Sequence, residues 1–396
     1  MTLVKLLQPR GFWIACLCLL IVATSNGMIN SGLSVYDEVL ATHFEVSIVQ
    51  LKLRDSISFL ASTVFILVAG IWVDRAGTKP LLLLGLMLLA GVYWVYPLVP
   101  SLPYVYGLHG IFALVLACAG NMTAIVTAAF WFPQARGLAI GLAVAGTSVG
   151  GMLIPPLATA AIERWGWQMA MQVQSVWPVL VFLLVLMVLP NAKTQAGTGI
   201  AVFSVDFKRI VTSSAFFKIT AAASLTYYAA LSMFSHGFLY FRSLTLEPSQ
   251  AALLLSTLSV CALLGKLATG YFSDRYRFDY AFRVQMVLMV LGLALLLLGR
   301  GCLILAVIVA GYGWGGLHAL YNIVLVRLFG IEVAGKVNGT VSMAEAIGGS
   351  VGIAVTGYLA TVASYSLAFG VALGLCVLAL MLVWVTPTHE QNATKT

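Results

Sequence analysis

Charged residues are scarce in this sequence. Asp, Glu, Lys and Arg together make up 9% of the 396 residues, whereas hydrophobic residues make up 61%. A soluble domain carries roughly 25% charged residues, so this chain cannot cover a water-soluble surface and lipid must serve as its solvent. The net charge of +8 comes from basic residues in short loops between apolar runs. This pattern indicates membrane topology rather than nucleic-acid binding.

The features of an enzyme are also missing from the sequence. The six cysteines lack the spacing of metal ligands, and all of them fall in apolar runs. No nucleophile stands beside a base, and there is no soluble catalytic region. The glycine-rich runs lack the Lys-Ser or Lys-Thr of a phosphate loop, so ATP is not implied. We therefore predict a protein that is not an enzyme and that has no cofactor and no metal site.

Long apolar runs dominate what is present. A membrane-spanning helix needs about 20 residues. The sequence has twelve candidate spans: 12–34, 52–73, 80–98, 103–130, 137–160, 169–189, 214–241, 249–272, 280–298, 301–327, 337–360 and 364–386. With the N-terminus in the cytoplasm, fifteen basic residues lie on the inner side and five on the outer side. This asymmetry predicts that both termini are cytoplasmic.

One loop motif recurs in the two halves of the chain. The pattern Gly-x-x-x-Asp-Arg lies between the second and third spans and again between the eighth and ninth, at Gly70, Asp74 and Arg75 and at Gly270, Asp274 and Arg275. Glycine lets helices approach closely, while the aspartate and arginine can contact groups at the cytoplasmic end of a neighbouring helix. We predict that the two motifs form a cytoplasmic gate.

The repeat divides the chain at its most polar internal stretch. We predict an N-terminal six-helix bundle over 1–190, a cytoplasmic linker over 191–213 and a C-terminal six-helix bundle over 214–396. Parallel repeats of this kind occur in secondary transporters, where the substrate site lies between the halves near the membrane midplane. The expected architecture is an all-α membrane protein with two pseudo-symmetric bundles.

These motifs resemble those of a known family. Gly70, Asp74, Arg75, Gly77 and Lys79 match the loop signature of the major facilitator superfamily. The stretch FWFPQARGLAIGLAVAGTSVGGMLIPPL, residues 130–157, is similar to the branch that holds monocarboxylate transporters and the oxalate:formate antiporter. The resemblance implies twelve transmembrane helices in two bundles, with transport by alternating access.

The same resemblance directs attention to Lys266. In that branch the eighth helix commonly carries Arg-x-x-x-Gly-x-x-x-Asp, and its arginine meets the substrate carboxylate. This chain has lysine at the first position of the pattern, followed by Gly270 and Asp274. Lysine keeps the positive charge but loses the two-pronged geometry of a guanidinium, so the resemblance implies an anion site of altered geometry.

Lys266 and Glu345 lie at similar depths in the predicted membrane. Counted from the cytoplasmic ends of their helices, they are ~12 Å and ~14 Å deep at 1.5 Å per residue. A charge at such a depth costs about 3 kcal/mol and tends to persist where function needs it. We predict that both residues line the substrate site, where Lys266 attracts an anionic substrate and Glu345 takes up a proton or releases Lys266 when protonated. Glu345 could instead receive the amine of a zwitterion. The alternatives are a structural ion pair or, for Lys266, snorkelling to the interface.

Further polar residues at mid-depth are candidate substrate contacts. We predict this role for the tenth-helix residues His318, Tyr321 and Asn322, for Asn26 and Asn30 on the first helix, and for Asn121 and Tyr227. Residues four apart on a helix share a face, which groups His318 with Asn322 and Asn26 with Asn30. His318 could relay protons or could bond a neighbouring helix, and the two asparagines could hydrogen-bond substrate or join helices.

An outer charge cluster surrounds the start of the second span. Arg54 could pair with one of two acids, Asp37 or Glu38, and form an outer gate with Asp37 favoured, or these residues could belong to a solvated helix end with ordinary salt bridges.

The functional prediction is a secondary active transporter of a small organic anion, with a monocarboxylate and proton symport favoured. Proton-coupled efflux of drugs or other amphipathic molecules and anion exchange remain the alternatives. The expected partners are the organic anion, protons and the lipid bilayer, without nucleic acid. The expected location is a cell inner membrane, where the protein would act as a monomer.

Overall fold

The computed structural model describes residues 9–132, 136–191, 209–273, 278–329 and 334–384. These residues form fourteen α-helices: α1 Pro9–Asn26, α2 Asp37–His43, α3 Ile48–Ala76, α4 Thr78–Val95, α5 Leu102–Ala119, α6 Asn121–Trp131, α7 Arg136–Gln174, α8 Val176–Val188, α9 Ser214–Ser243, α10 Pro248–Ser273, α11 Phe278–Leu297, α12 Leu303–Phe329, α13 Ala334–Val362 and α14 Tyr365–Trp384.

Ten stretches of the described helices are long and apolar enough to cross a membrane. One of them, Ala139–Val188, has 50 residues. A straight helix of that length would measure about 75 Å, more than twice the ~30 Å hydrocarbon core. It breaks at Gly166 (φ 75°) and so supplies two crossings. Helix α9, with 30 residues, is long enough to cross but more polar than the ten. Each of the twelve predicted spans overlaps the described helices, and the all-α membrane architecture is confirmed.

Local sequence signals explain where α3 begins and ends. The side chain of Ser47 accepts a hydrogen bond from the Gln50 backbone, and the Gln50 side chain accepts one from the Ser47 backbone. This capping box satisfies two backbone donors at the first turn of the helix. At the other end Gly77 adopts φ 81°, a conformation that side chains disfavour, and α4 begins at the next residue.

Two predicted spans differ in detail from the structure. The first span does not end at residue 34, because a π-helical segment, Gly27–Gly32, and a 3₁₀ turn, Leu33–Tyr36, lead directly into α2. The fourth span is interrupted at Gly120, which separates α5 from α6. Hydropathy reports only whether a segment is apolar, so neither irregularity could be predicted from it.

Glycine allows close helix packing at Gly150, whereas the close approach predicted at Gly70 is not found among the described residues. A Cβ on Gly150 would lie 2.7 Å from the Gly27 Cα, so α7 and the segment after α1 touch through their backbones. Among the described residues, a Cβ at Gly70 would meet the tip of Met122 at 3.4 Å, which is ordinary contact. The glycine of the loop motif is thus not needed for close helix packing here.

Gly315 offers a direct test of backbone packing. A Cβ at this position would lie 2.7 Å from the Ala262 Cα, whereas a Cβ on Gly374 in α14 would have no atom within 4 Å. We expect Gly315→Ala to lower stability by about 1–3 kcal/mol through overpacking. The control Gly374→Ala should be neutral or slightly stabilising, because alanine is the better helix former. Thermal melting in detergent would compare the two, and equal melting temperatures would contradict this packing.

The chain separates into two compact units. One comprises Met1–Gly199 with Phe241–Ser256, and the other comprises Ile200–Tyr240 with Thr257–Thr396. The first unit packs its apolar core around α1, with α4, α6, α7 and α8 contributing buried side chains. Residues 192–208 of the predicted linker lie outside the described residues. The bundle boundaries at 190 and 214 stay a prediction.

Candidate functional site in the second unit

Close packing of α9 against α13 brings together the first two residues of the site. Cβ atoms on Gly348 and Gly352 would clash with the backbone at Ser224 and Tyr228, respectively, so these helices touch at two successive turns. Glu345 lies one turn before Gly348. Helical side chains lean toward the N-terminus of their helix, so Tyr227 reaches back toward the level of Glu345.

Glu345 is almost fully buried, with 9% of its surface exposed. Its carboxyl group accepts hydrogen bonds from the hydroxyls of Tyr227 and Ser342. Tyr321 of α12 also lies close enough to interact electrostatically with it. A buried carboxylate needs such donors, since burying an unpaired charge is costly. The structure therefore gives Glu345 a polar environment within a largely apolar helix.

Three rings form an aromatic cluster beside Glu345. Trp314 and His318 are four residues apart and share one face of α12. The ring of Tyr227 meets that of Trp314 edge-on at a centroid distance of 4.8 Å, and His318 lies 5.7 Å from Trp314 and 6.3 Å from Tyr227. Trp314 was not among the predicted site residues, although its four-residue spacing from His318 could have indicated that both share one face of the helix.

Lys266 lies on α10 next to this cluster. The residue before it, Gly265, packs directly on the backbone of α12 at Tyr312 and Gly316. This close contact fixes Lys266 near His318, and the two side chains interact electrostatically. Lys266 is only partly buried. The hydrogen bonds to Glu345 come from Tyr227 and Ser342. The ion pair between Lys266 and Glu345 stays a prediction.

Tyr321 lies in the same region with its hydroxyl already engaged. It forms a 2.8 Å hydrogen bond with Thr226, and its ring meets Phe282 edge-on at 5.3 Å. These contacts join α9, α11 and α12. The predicted contact of Tyr321 with substrate is untested. The side chain of Asn322, another predicted contact, lies outside the described residues.

The predicted asparagines form a second polar group, within the first unit. The Asn30 side chain donates to Asn26 at 3.5 Å, as their four-residue spacing predicts, and Asn26 donates to Ser25 at 3.3 Å. Ser25 in turn donates to the Ala119 carbonyl at 2.7 Å, next to the break that precedes Asn121. The side-chain oxygens of Asn30 and Asn121 are buried and have no hydrogen-bond partner among the described residues. They are free acceptors within a polar patch.

A buried ionic cluster lies at the start of α3. Asp37 pairs with Arg54 at 2.6 Å and with Lys52 at 2.5 Å, and all three side chains are fully buried. Asp55 pairs with both cations, at 3.1 Å to Lys52 and 3.2 Å to Arg54. The predicted contact between Arg54 and Asp37 is therefore present. The alternative of a solvated helix end is wrong, because the surrounding helices cover these charges. The gate role stays a prediction.

His109 extends this cluster onto α5. The hydroxyl of Ser58 donates to the His109 carbonyl at 3.0 Å and lies 2.8 Å from Nδ1, so it accepts from the ring. Nε2 lies 3.2 Å from the Tyr96 hydroxyl, which receives a hydrogen bond from Arg54. This arrangement assigns the imidazole proton to Nδ1 and leaves Nε2 as the acceptor.

Asp37→Asn tests what this cluster contributes to stability. Removing one partner of a buried ion pair costs about 3–5 kcal/mol, because it leaves uncompensated charge. We expect a large fall in melting temperature for this variant. The neighbouring Glu38 pairs with Arg242 at 3.0 Å, but these side chains are 39% and 28% exposed, respectively. As a control, Glu38→Gln should cost less than about 1 kcal/mol. Similar melting temperatures for the two variants would contradict the buried cluster.

The cytoplasmic motifs are only partly described. Gly70 lies in α3, and Arg75 lies in the last turn of that helix with an exposed side chain. The side chain of Asp74 lies outside the described residues, as do Asp274 and Arg275. Gly270 falls within α10. The cytoplasmic gate stays a prediction.

The architecture is that of a multi-pass membrane protein with polar groups buried among its helices. The sequence profile described as Major Facilitator Superfamily matches residues 15–353 and 242–396. The chain belongs to this superfamily, and its fold is that of a transporter.

Curated relatives include several transporters. The chain is 27% identical to the oxalate:formate antiporter of Oxalobacter formigenes, over 76% of its own length and 77% of the relative. It is 26% identical to monocarboxylate transporter 13 of Rattus norvegicus, over 65% of the chain and 61% of the relative. It is 31% identical to riboflavin transporter RibJ of Trypanosoma brucei brucei, over 43% of the chain but only 32% of that longer protein.

Solved structures support the fold. The nucleoside transporter NupG superposes with a TM-score of 0.78 at 12% identity, over 94% of this chain and 98% of NupG. A bacterial homologue of the human lysosomal transporter Spinster gives 0.77 at 13% identity, over 96% and 97% of the two chains. At such identities the likeness concerns the fold alone.

Proposed function

We propose that the protein is a secondary active transporter that moves a small organic anion, a monocarboxylate, together with a proton. Lys266 provides the cation that attracts the carboxylate of the substrate. Glu345 takes up the proton that is carried with it. The transport cycle draws its energy from ion and substrate gradients rather than from ATP.

One observation carries this proposal. Within the second unit, a partly buried lysine on α10 and a buried glutamate on α13 sit inside mainly apolar helices, around one aromatic cluster on α9 and α12. Such charges are expensive in a membrane and tend to mark substrate and proton paths.

Two named relatives agree with an anionic substrate. The oxalate:formate antiporter and monocarboxylate transporter 13 both carry carboxylates by name. The first of them also supports anion exchange as a second candidate function. Asn26, Asn30 and Asn121, which form a separate polar group within the first unit, stay predicted substrate contacts. His318, beside Lys266, is a candidate for passing the proton.

Loop charge and loop length support the proposed cellular setting. The excess of basic residues on one side of the predicted spans favours cytoplasmic termini. Short loops and little mass outside the predicted spans favour an inner membrane of a prokaryotic cell. The protein is proposed to act as a monomer.

Uptake into proteoliposomes tests the function. The purified full chain would be reconstituted, and an inward proton gradient would be imposed. The panel would hold short monocarboxylates, oxalate, a zwitterionic amino acid, riboflavin and one amphipathic cation. We expect accumulation of a monocarboxylate that collapses when a protonophore dissipates the gradient.

Each other outcome points to a different function. Uptake that requires an anion inside the vesicles and ignores the proton gradient would support exchange. Movement of only the cation would support efflux of amphipathic molecules. Movement of only the amino acid or riboflavin would overturn the monocarboxylate proposal and leave the family assignment in place.

A further inference from the structure

Tyr227 connects the two charged parts of the candidate site. Its hydroxyl donates to the carboxyl group of Glu345. Its ring touches Trp314 and lies 6.3 Å from His318, the residue that interacts with Lys266. The side chain thus runs from the predicted proton acceptor toward the predicted anion anchor, all within the second unit.

A phenol has a single O–H and can make one strong donation at a time. A charged carboxylate is a stronger acceptor than a neutral carboxylic acid, because charge-assisted hydrogen bonds are roughly twice as strong as neutral ones. Protonation of Glu345 therefore weakens its hydrogen bond with Tyr227. Ser342 remains beside the acid and can satisfy it in the protonated state.

The other groups around Glu345 cannot replace Tyr227 in this exchange. Tyr321, which faces Glu345 from α12, is engaged with Thr226 at 2.8 Å. Lys266, which lies near His318, is the cation assigned to the substrate carboxylate in the proposed function, so its donors are directed to the anion. Tyr227 is thus the donor whose hydrogen bond to Glu345 weakens when Glu345 is protonated.

We propose that Tyr227 is the coupling residue of the transporter: when Glu345 is protonated, the Tyr227 hydroxyl turns from Glu345 to the substrate carboxylate held at Lys266. The inference rests on the proposed function of this site. The proton comes to rest on a carboxyl oxygen of Glu345, and no covalent bond changes. When Glu345 loses the proton, its carboxylate again accepts a hydrogen bond from the Tyr227 hydroxyl, and the substrate anion loses that donor. Proton and anion then bind with positive cooperativity, which is reciprocal by linkage.

Tyr227→Phe isolates the hydroxyl from the ring. Phenylalanine keeps the contacts with Trp314 and His318 and removes only the donor. The measurement is equilibrium binding of radiolabelled lactate to the purified full chain in detergent, from acidic to alkaline pH. In the wild type, lactate should bind about tenfold more tightly at acidic pH, the size expected for one hydrogen bond to a charged group. In Tyr227→Phe the affinity should stay at the weaker level at every pH.

Glu345→Gln should have the opposite effect on the same measurement. The neutral amide imitates the protonated acid and leaves Tyr227 available, so lactate should bind tightly at every pH. The double variant should bind weakly at every pH. Tyr228→Phe is the matched control, because it removes a hydroxyl one position along α9 that is not bonded to Glu345, and it should keep the wild-type pH profile.

The outcomes separate this inference from the proposed function. A wild-type protein with no pH-dependent lactate binding would overturn both. Normal pH-dependent binding in the wild type, with the same fold-change retained in Tyr227→Phe, would overturn the coupling role alone. In Tyr227→Phe, a loss of lactate affinity by an equal factor at all pH values would also overturn the coupling role, since that result is expected of a purely structural tyrosine.

Discussion

Uptake of the anion is expected to be lost in Lys266→Gln while the protein still inserts and folds. Glutamine keeps much of the length of lysine but removes the charge that holds the substrate carboxylate. A hydrogen bond to a charged group contributes about 1.5–3 kcal/mol, so affinity should fall about tenfold or more. Proteoliposome uptake and binding of the same substrate would measure the two effects.

Lys266→Arg is the matched control for this result. It preserves the positive charge and changes only its geometry, so some uptake should return. Size-exclusion chromatography in detergent would check that both variants are folded. Wild-type uptake by Lys266→Gln would remove Lys266 from the substrate site and would assign the anion to another cation.

Glu345→Gln is expected to separate transport from the proton gradient. A glutamine cannot gain or lose a proton, so the gradient can no longer drive accumulation. Exchange of labelled for unlabelled substrate should continue, because exchange requires no net proton movement in this mechanism. The two assays would be run on the same proteoliposomes, so a folding defect would appear as loss of both activities.

A carboxylate outside the site provides the control for Glu345. Glu163 lies on α7 with an exposed side chain, and Glu163→Gln should retain both accumulation and exchange. If Glu345→Gln still accumulates substrate in response to the proton gradient, coupling belongs to another group. His318, which lies beside Lys266, would then be the next residue to replace.

The membrane spans could be predicted from hydropathy because lipid imposes a simple rule on every helix. Their irregularities could not, since these depend on what neighbouring helices present. The break at Gly120 is one example, because the carbonyl of Ala119 finds a partner in Ser25, 94 residues away in sequence. The extension of the first span through the π-helical segment Gly27–Gly32 into α2 is another.

In the site, too, contacts within one helix could be predicted from the sequence, whereas contacts between helices could not. The hydrogen bond between Asn26 and Asn30 follows from helix periodicity, and the sequence predicted their shared face. The similar depths of Lys266 and Glu345 also came from counting along helices. The bond between Tyr227 and Glu345 could not be predicted, because it depends on how α9 packs against Gly348 and Gly352.

The ionic cluster shows where charge patterning misleads. Lys52 and Arg54 look like residues of a solvated helix end, since they lie within the first two turns of α3. Their burial follows from Asp37, Tyr96 and neighbouring helices that converge on the same point. Sequence could propose a partner for Arg54 but could not indicate that both would be removed from water.

Proton movement during substrate entry tests the central claim most directly. Proteoliposomes holding a pH-sensitive dye would be mixed with the monocarboxylate at equal internal and external pH. The mechanism predicts that the substrate gradient drives acidification of the interior with the wild type and with Glu163→Gln, and none with Glu345→Gln. Substrate entry without acidification in the wild type would contradict proton symport. Full acidification by Glu345→Gln would contradict the role of Glu345.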